Sequence, residues 1–202
     1  MAADEPVSHT AAPADARGGG HVLVVCTGNV CRSPYIERLL ERDLRGTGIS
    51  VSSAGTGALV GSPMDPHISV RLDSAGAPAD GFTARQVTRR MMAASDLVIT
   101  ATREHLQSVV SLHPKAWRYS FALLDLADLL GVVDEHDLAA TTADNRVAAI
   151  AAAAFAKRTA VAPRPPDQAN IIDPYRQRGE VFDRMAAEIG GALPTVTAAL
   201  RG

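Results

Sequence analysis

Cys26, Arg32 and Ser33 stand at a spacing that reads as one chemical device, in the string Cys26-Thr27-Gly28-Asn29-Val30-Cys31-Arg32-Ser33-Pro34. A thiolate is a strong nucleophile once an electropositive setting favours it over the thiol. Arginine offers a planar fork that grips two oxygens of a phosphate, a geometry lysine lacks. Gly28 and Asn29 tolerate the positive φ that a tightly curled loop needs. The chemistry this set can do is attack by the Cys26 sulfur on phosphorus, with Arg32 on the phosphate oxygens. Ser33 can then hydrogen-bond the sulfur when it becomes the leaving group. Thr27, Gly28, Asn29, Val30 and Cys31 would hold the substrate phosphate along with Ser33. The string lacks the Gly-Lys-Ser/Thr of nucleotide-binding loops and the Gly-x-Gly-x-x-Gly of dinucleotide folds.

The flanking elements place this loop where anions bind. Residues 21–25 form a continuous apolar run, the pattern of a strand buried on both faces. After the loop, Ile36, Leu39, Leu40 and Leu44 recur at helical spacing, with Glu37, Arg38, Glu41 and Arg42 on the opposite face. Gly46 and Gly48 end that helix. A loop between a parallel strand and a helix lies at the carboxyl edge of the sheet. The helix start adds unpaired N–H groups and the positive end of the dipole, and the loop amides curl into a nest.

The alternation continues. Residues 49–53 and 96–100 read as strands, and 117–121 as a shorter one. Asp65-Pro66 reads as a cap and first turn of a helix that stops near Gly76. Further helices are expected around Met91-Met92, which read as core, and at 103–112, 123–130 and from Val181 through Leu193. Strands alternating with helices predict an α/β fold with a mostly parallel sheet covered on both faces. Residues 132–167 differ: polar, then alanine-rich, then marked by Pro163, Pro165 and Pro166. A surface helix at 146–157 followed by an extended connection is expected there. Residues 1–20 are poor in large apolar side chains and read as a disordered tail, leaving one domain over 21–202.

Composition excludes several classes. At 202 residues, net charge −2, with 47% hydrophobic and 21% charged residues, the chain is an ordinary globular domain. No bulk field recruits nucleic acid or an anionic membrane, and Arg89-Arg90 is too small a cluster to argue otherwise. No apolar run is long enough to span a bilayer, and no secretory leader is visible. The 2 cysteines are too few for a disulfide scaffold or a thiolate zinc site. A reducing, cytoplasmic setting is the default. His67, His105, His113 and His136 read as surface or helix-cap residues.

The string at 26–34 resembles the active-site loop of the low-molecular-weight protein tyrosine phosphatase family. Ser53-Ala54-Gly55-Thr56, Ala84-Arg85-Gln86, residues 96–100 and Asp173-Pro174-Tyr175 are similar to that family as well. The likeness runs from His21 to the C-terminus, apart from roughly residues 132–170. It implies a three-layer α/β fold, a four-stranded parallel sheet flanked by helices. It also implies hydrolysis of phosphotyrosine in a protein or peptide, and of small aryl phosphates, through a phosphocysteine and with neither metal nor cofactor. A phosphomonoester leaves as an alkoxide or phenoxide, so a carboxylic acid must donate a proton and later activate water. The resemblance selects Asp173 for that role, with Pro174 pinning the backbone and Tyr175 as an aromatic wall; Asp167 is the competing acid. It further implies that Cys31 can pair with Cys26 against over-oxidation, and that Asn29 and Ser53 brace the loop.

Departures from the family pattern are Phe82 and Thr102, where relatives often carry His and Asp, and the bulky Tyr35-Ile36 after Pro34. Two other readings stand beside hydrolysis. One is an arsenate reductase on the same fold using an external thiol; the other is an inactive phosphate-binding module.

Overall fold

The apolar run becomes β1 (His21–Cys26), the second position in a sheet ordered β2-β1-β3-β4, with β2 (Ser50–Gly55), β3 (Leu97–Thr100) and β4 (Ser120–Ala122). All pairings are parallel. The structure is a computed structural model that describes residues 19–139 and 143–202. Strand pleating divides β1 between two cores. Val22 and Val24 face one side with Ile36, Leu40, Phe182 and Ile189, while Leu23 and Val25 face the other with Met92, Val98 and Val109. This is the expected three-layer arrangement.

Helices α1 (Arg32–Asp43), α2 (Pro66–Ser74), α5 (Leu123–Leu130), α7 (Arg146–Ala156) and α8 (Gly179–Arg201) feed the first core, and α3 (Arg89–Ala93) and α4 (Arg103–Leu112) the second. Asp65 caps α2 by accepting the His67 N–H at 2.9 Å, ahead of Pro66 at the first turn. In α8 the buried stripe Phe182, Met185, Ile189, Leu193, Val196 and Leu200 keeps helical spacing beyond the expected end at Leu193. The chain order places the β2 crossover on one side of β1 and the β3 crossover on the other. The carboxyl end of β1 is therefore the topological switch point, where open α/β sheets bind ligands.

Four expectations need correction. Of the tail expected at 1–20, residues 1–18 lie outside the described residues, but Gly19 and Gly20 are buried and the Gly20 carbonyl accepts the Ser50 N–H at 3.0 Å. The fourth strand begins at Ser120 and not at Trp117, because Pro114 opens a 3-10 turn (Pro114–Arg118) that contains the tryptophan. The polar stretch after Gly131 includes a short helix, α6 (Glu135–Ala139), with no buried residue. The helix expected at the surface is instead packed: Val147, Ile150, Ala151, Ala153 and Ala154 of α7 are buried, and Arg146 Nε donates to the Ala199 carbonyl at 2.9 Å.

Because Ile150 is fully buried in α7, Ile150→Ala should lower unfolding free energy by about 2–5 kcal/mol in urea titration. A change below about 0.5 kcal/mol, the usual worth of a surface substitution, would return α7 to the surface.

Candidate active site

The loop after β1 turns carbonyls outward and fixes four of them on backbone donors. Cys26 O accepts from Thr56 N at 2.9 Å, Thr27 O from Gly57 N at 3.1 Å, Gly28 O from Leu59 N at 3.0 Å, and Val30 O from Asp65 N at 2.9 Å. Among the described residues, no acceptor meets the backbone N–H groups of residues 27–32. All of these but Asn29 line a cavity of about 130 Å³, so the loop is a nest of amides around a small anion-sized space. Gly55 permits this contact, since a Cβ there would collide with the Thr27 carbonyl oxygen.

Asn29 holds the tightest point of the curl at φ 55°. Its side chain is fully engaged: Nδ2 donates to Ser33 Oγ at 2.9 Å and Ser53 Oγ at 2.7 Å, and Oδ1 accepts from Arg85 N at 2.9 Å. These bonds set proton direction. With an Asn29 N–H on its lone pair, the Ser33 hydroxyl is free to donate to Cys26 Sγ, 3.0 Å away. Ser53 Oγ likewise donates a hydrogen bond to the Glu37 carboxylate. Glu37 was expected on the polar face of α1, yet it is buried. Burial pushes its carboxyl up, and the Ser53 hydroxyl offsets this in part. The network runs from the Cys26 sulfur through Ser33, Asn29 and Ser53 to Glu37.

Arg32 and Asp173 meet across the mouth. Ile171 N donates to Ala101 O at 3.0 Å, which anchors the late loop beside β3. Arg32 Nη1 reaches the Ile171 carbonyl at 3.4 Å and Nη2 pairs with Asp173 Oδ2 at 2.8 Å. Arg32 Nε is buried and has no acceptor among the described residues. Asp173 is half exposed, its side chain 52% accessible, and its Oδ1 accepts the Tyr175 N–H at 3.1 Å. Tyr175 lines the cavity, as does Leu59, which sequence reasoning did not single out. Asp167 lies in another hollow, beside Arg164 and Glu188.

Cys31 also lines the cavity, buried and free like Cys26. Burial pushes its thiol up, and the charges of Asp65, Cys26 and Asp173 add to the effect. Cys31 is therefore a neutral thiol.

His105 corrects the surface reading. It is buried, with Nε2 2.8 Å from Thr27 Oγ1 and Nδ1 2.7 Å from Thr102 Oγ1. Burial, then the Arg32 charge, lower its pKa to about 4. A neutral imidazole thus links the Cys26 loop to the start of α4, where Thr102 caps the helix. Cap and histidine are set at N-cap spacing in the sequence; the bond to Thr27, from a loop 78 positions away, is not.

An anion nest with a cysteine at its base, at the switch point of a parallel sheet, defines a class of cysteine-centred phosphate sites. A sequence model described as low molecular weight phosphotyrosine protein phosphatase matches residues 21–131, and the chain belongs to that family. It is 42% identical over 96 residues to low molecular weight protein-tyrosine-phosphatase Wzb of Escherichia coli (strain K12), covering 47% of this chain and 63% of that protein. It is 37% identical over 112 residues to the probable low molecular weight protein-tyrosine-phosphatase EpsP of Ralstonia nicotianae, covering 53% of this chain and 76% of that one. The match thus spans less than two thirds of the Escherichia coli relative. The crystal structure of the Erwinia amylovora tyrosine phosphatase AmsI shares the fold, with a TM-score of 0.66 over 91% of this chain and 94% of that one at 23% identity.

Because the His105 pKa lies below its ordinary value, the unfolded chain takes up a proton between about pH 6.5 and 4 that the folded chain refuses. Stability from this group is complete above that window and falls as pH descends through it. The His105 ring should titrate near pH 4 by NMR, and His105→Gln should lose less stability than wild type between those pH values. A ring midpoint near 6.5 contradicts the buried neutral imidazole.

Proposed function

We propose that this chain is a protein tyrosine phosphatase that hydrolyses phosphotyrosine, and small aryl phosphates, through a phosphocysteine. The observation that carries the reading is the Arg32 guanidinium, buried beside Cys26 with an N–H that finds no acceptor among the described residues. A buried donor without a partner is costly, and a phosphate in the nest supplies that partner. The names of the relatives support the choice of phosphotyrosine. So do Tyr175 and Leu59, two exposed apolar walls able to flank a flat ring.

In this mechanism the Cys26 thiolate attacks phosphorus, forming the S–P bond as the P–O bond to the aryl group breaks. Protonated Asp173 gives its proton to the leaving oxygen. The loop amides and Arg32 hold the equatorial oxygens where negative charge gathers in the transition state. Water then attacks phosphorus while Asp173, now a carboxylate, takes its proton. The S–P bond breaks, and the returning thiolate is stabilised by the Ser33 hydroxyl.

The reading extends to regulation and setting. Peroxide converts the Cys26 thiolate to a sulfenic acid, which condenses with the Cys31 thiol to a disulfide and releases water. Residues 21–202 form one phosphatase domain, with 132–167 as an added segment. The working compartment is the reducing cytoplasm and the partner a phosphotyrosine protein or peptide. Among the described residues, no helix is long and apolar enough to cross a membrane.

Turnover of p-nitrophenyl phosphate tests the roles. Cys26→Ser should abolish it, Arg32→Lys should lower it despite keeping the charge, and Asp173→Ala should slow it by about 10²–10⁴-fold, the usual contribution of a general acid. Substantial turnover by Cys26→Ser would refute the mechanism, and a near-normal rate for Asp173→Ala would move the acid elsewhere.

A further inference from the structure

Apart from the Cys26 cavity, the chain holds a larger hollow of about 510 Å³ between α4, the turn carrying Trp117 and residues 158–163. That size lies within the roughly 300–1,000 Å³ of small-molecule sites. Its walls are largely apolar, with Leu106, Val110, Trp117, Phe121 and Val161 among them. It shares no lining residue with the Cys26 cavity. The family match ends at residue 131, so the wall made by 158–163 belongs to the added segment.

Arg158 sets the chemistry of this hollow. Its guanidinium lies 3.8 Å from the Trp117 ring centroid, 4.5 Å from that of Phe121 and 5.1 Å from that of Phe155. Nη2 donates to the Ser120 carbonyl at 2.6 Å. Nη1 is buried with no acceptor among the described residues. Burial lowers the pKa of this guanidinium to about 10, with the Asp125 charge opposing the shift. The other charges around the hollow are matched in pairs, Arg103 with Asp125 and Arg164 with Asp128, each at 2.6 Å. Counting Arg164, which reaches Asp128 from outside the lining, three guanidinium groups surround the hollow against the two carboxylates Asp125 and Asp128, and both carboxylates are already paired. Trp117 is 48% exposed, and its indole offers area to a flat ring. Aromatic surface beside a poorly solvated guanidinium favours an occupant with both a ring and a negative charge.

We propose that this hollow is a second binding site, taking a small planar aromatic anion such as an aryl carboxylate or aryl sulfonate. The ring packs on Trp117 and Leu106, and the anionic group faces Arg158. The site stands independently of the Cys26 chemistry.

The composition supplies the probe, because Trp117 is the chain's sole tryptophan. The full chain is titrated with 1-anilinonaphthalene-8-sulfonate and, separately, with neutral N-phenyl-1-naphthylamine, while energy transfer from Trp117 is read. Saturable transfer is expected, tighter for the sulfonate and unchanged by excess inorganic phosphate. Arg158→Met should weaken sulfonate binding about tenfold or more, the scale of one lost charge-assisted contact, with turnover of p-nitrophenyl phosphate unchanged. Ala162→Phe, at an exposed loop position, should fill the hollow and abolish binding of both probes with wild-type circular dichroism and melting. It keeps the test valid should Arg158→Met fold poorly. Equal affinity for the two probes in wild type, displacement by phosphate, or sulfonate binding unaltered in either variant would overturn the proposal.

Discussion

A loop that must aim its amides at one point has to find partners for its carbonyls elsewhere. That constraint governs the structure around Cys26. The segment running from Gly55 to Asp65 supplies the donors. It can approach closely because Gly55 has no side chain to strike Thr27. Asn29 accepts the left-handed backbone at the tightest point and ties the loop to Ser33, Ser53 and Arg85 through its amide. Each hydrogen bond contributes only about 1 kcal/mol net, whereas a stranded buried polar group costs about 1–3 kcal/mol. The network is therefore best understood as a set of satisfied obligations that leaves a few N–H donors unspent, and those donors line the anion-sized nest.

The rest of the fold brings remote groups to that site. Arg32 and Asp173 are 141 positions apart and meet because β3 and α8 deliver the late loop to the mouth of the nest. With the Asp173 side chain half in water, their ion pair adds no more than about 0–1 kcal/mol. Its role is to position the carboxylate. His105 acts in a similar way from α4, bracing the outer side of the loop through Thr27. The added segment reinforces the first core through α7, and its Arg158 wall closes the larger hollow on the far side of α4.

Much of this was legible in the sequence because it rests on local rules. The apolar run of β1, the curl marked by Gly28 and Asn29, and the Asp65-Pro66 cap each announce themselves within a few residues. The resemblance to a family placed Asp173 where no local rule could. What escaped was long-range. Glu37 belongs to the polar face of α1 by periodicity, and only the distant Ser53 explains why it is buried. His105 has no nearby partner in sequence that marks it as part of the loop. An alanine-rich stretch such as α7 has too little polar contrast to reveal which face is covered. Trp117 has strand propensity, but Pro114 and the stacking of Arg158 place it in a turn.

The central claim is that the Cys26 sulfur forms a covalent bond to phosphorus. The most direct test is rapid acid quench of the enzyme during turnover of a phosphotyrosine peptide, followed by mass spectrometry of the proteolysed chain. The account predicts a transient phosphoryl mass on the peptide containing Cys26, formed and discharged at rates that match turnover. Turnover with no such adduct, or with the phosphoryl group on another residue, would contradict it.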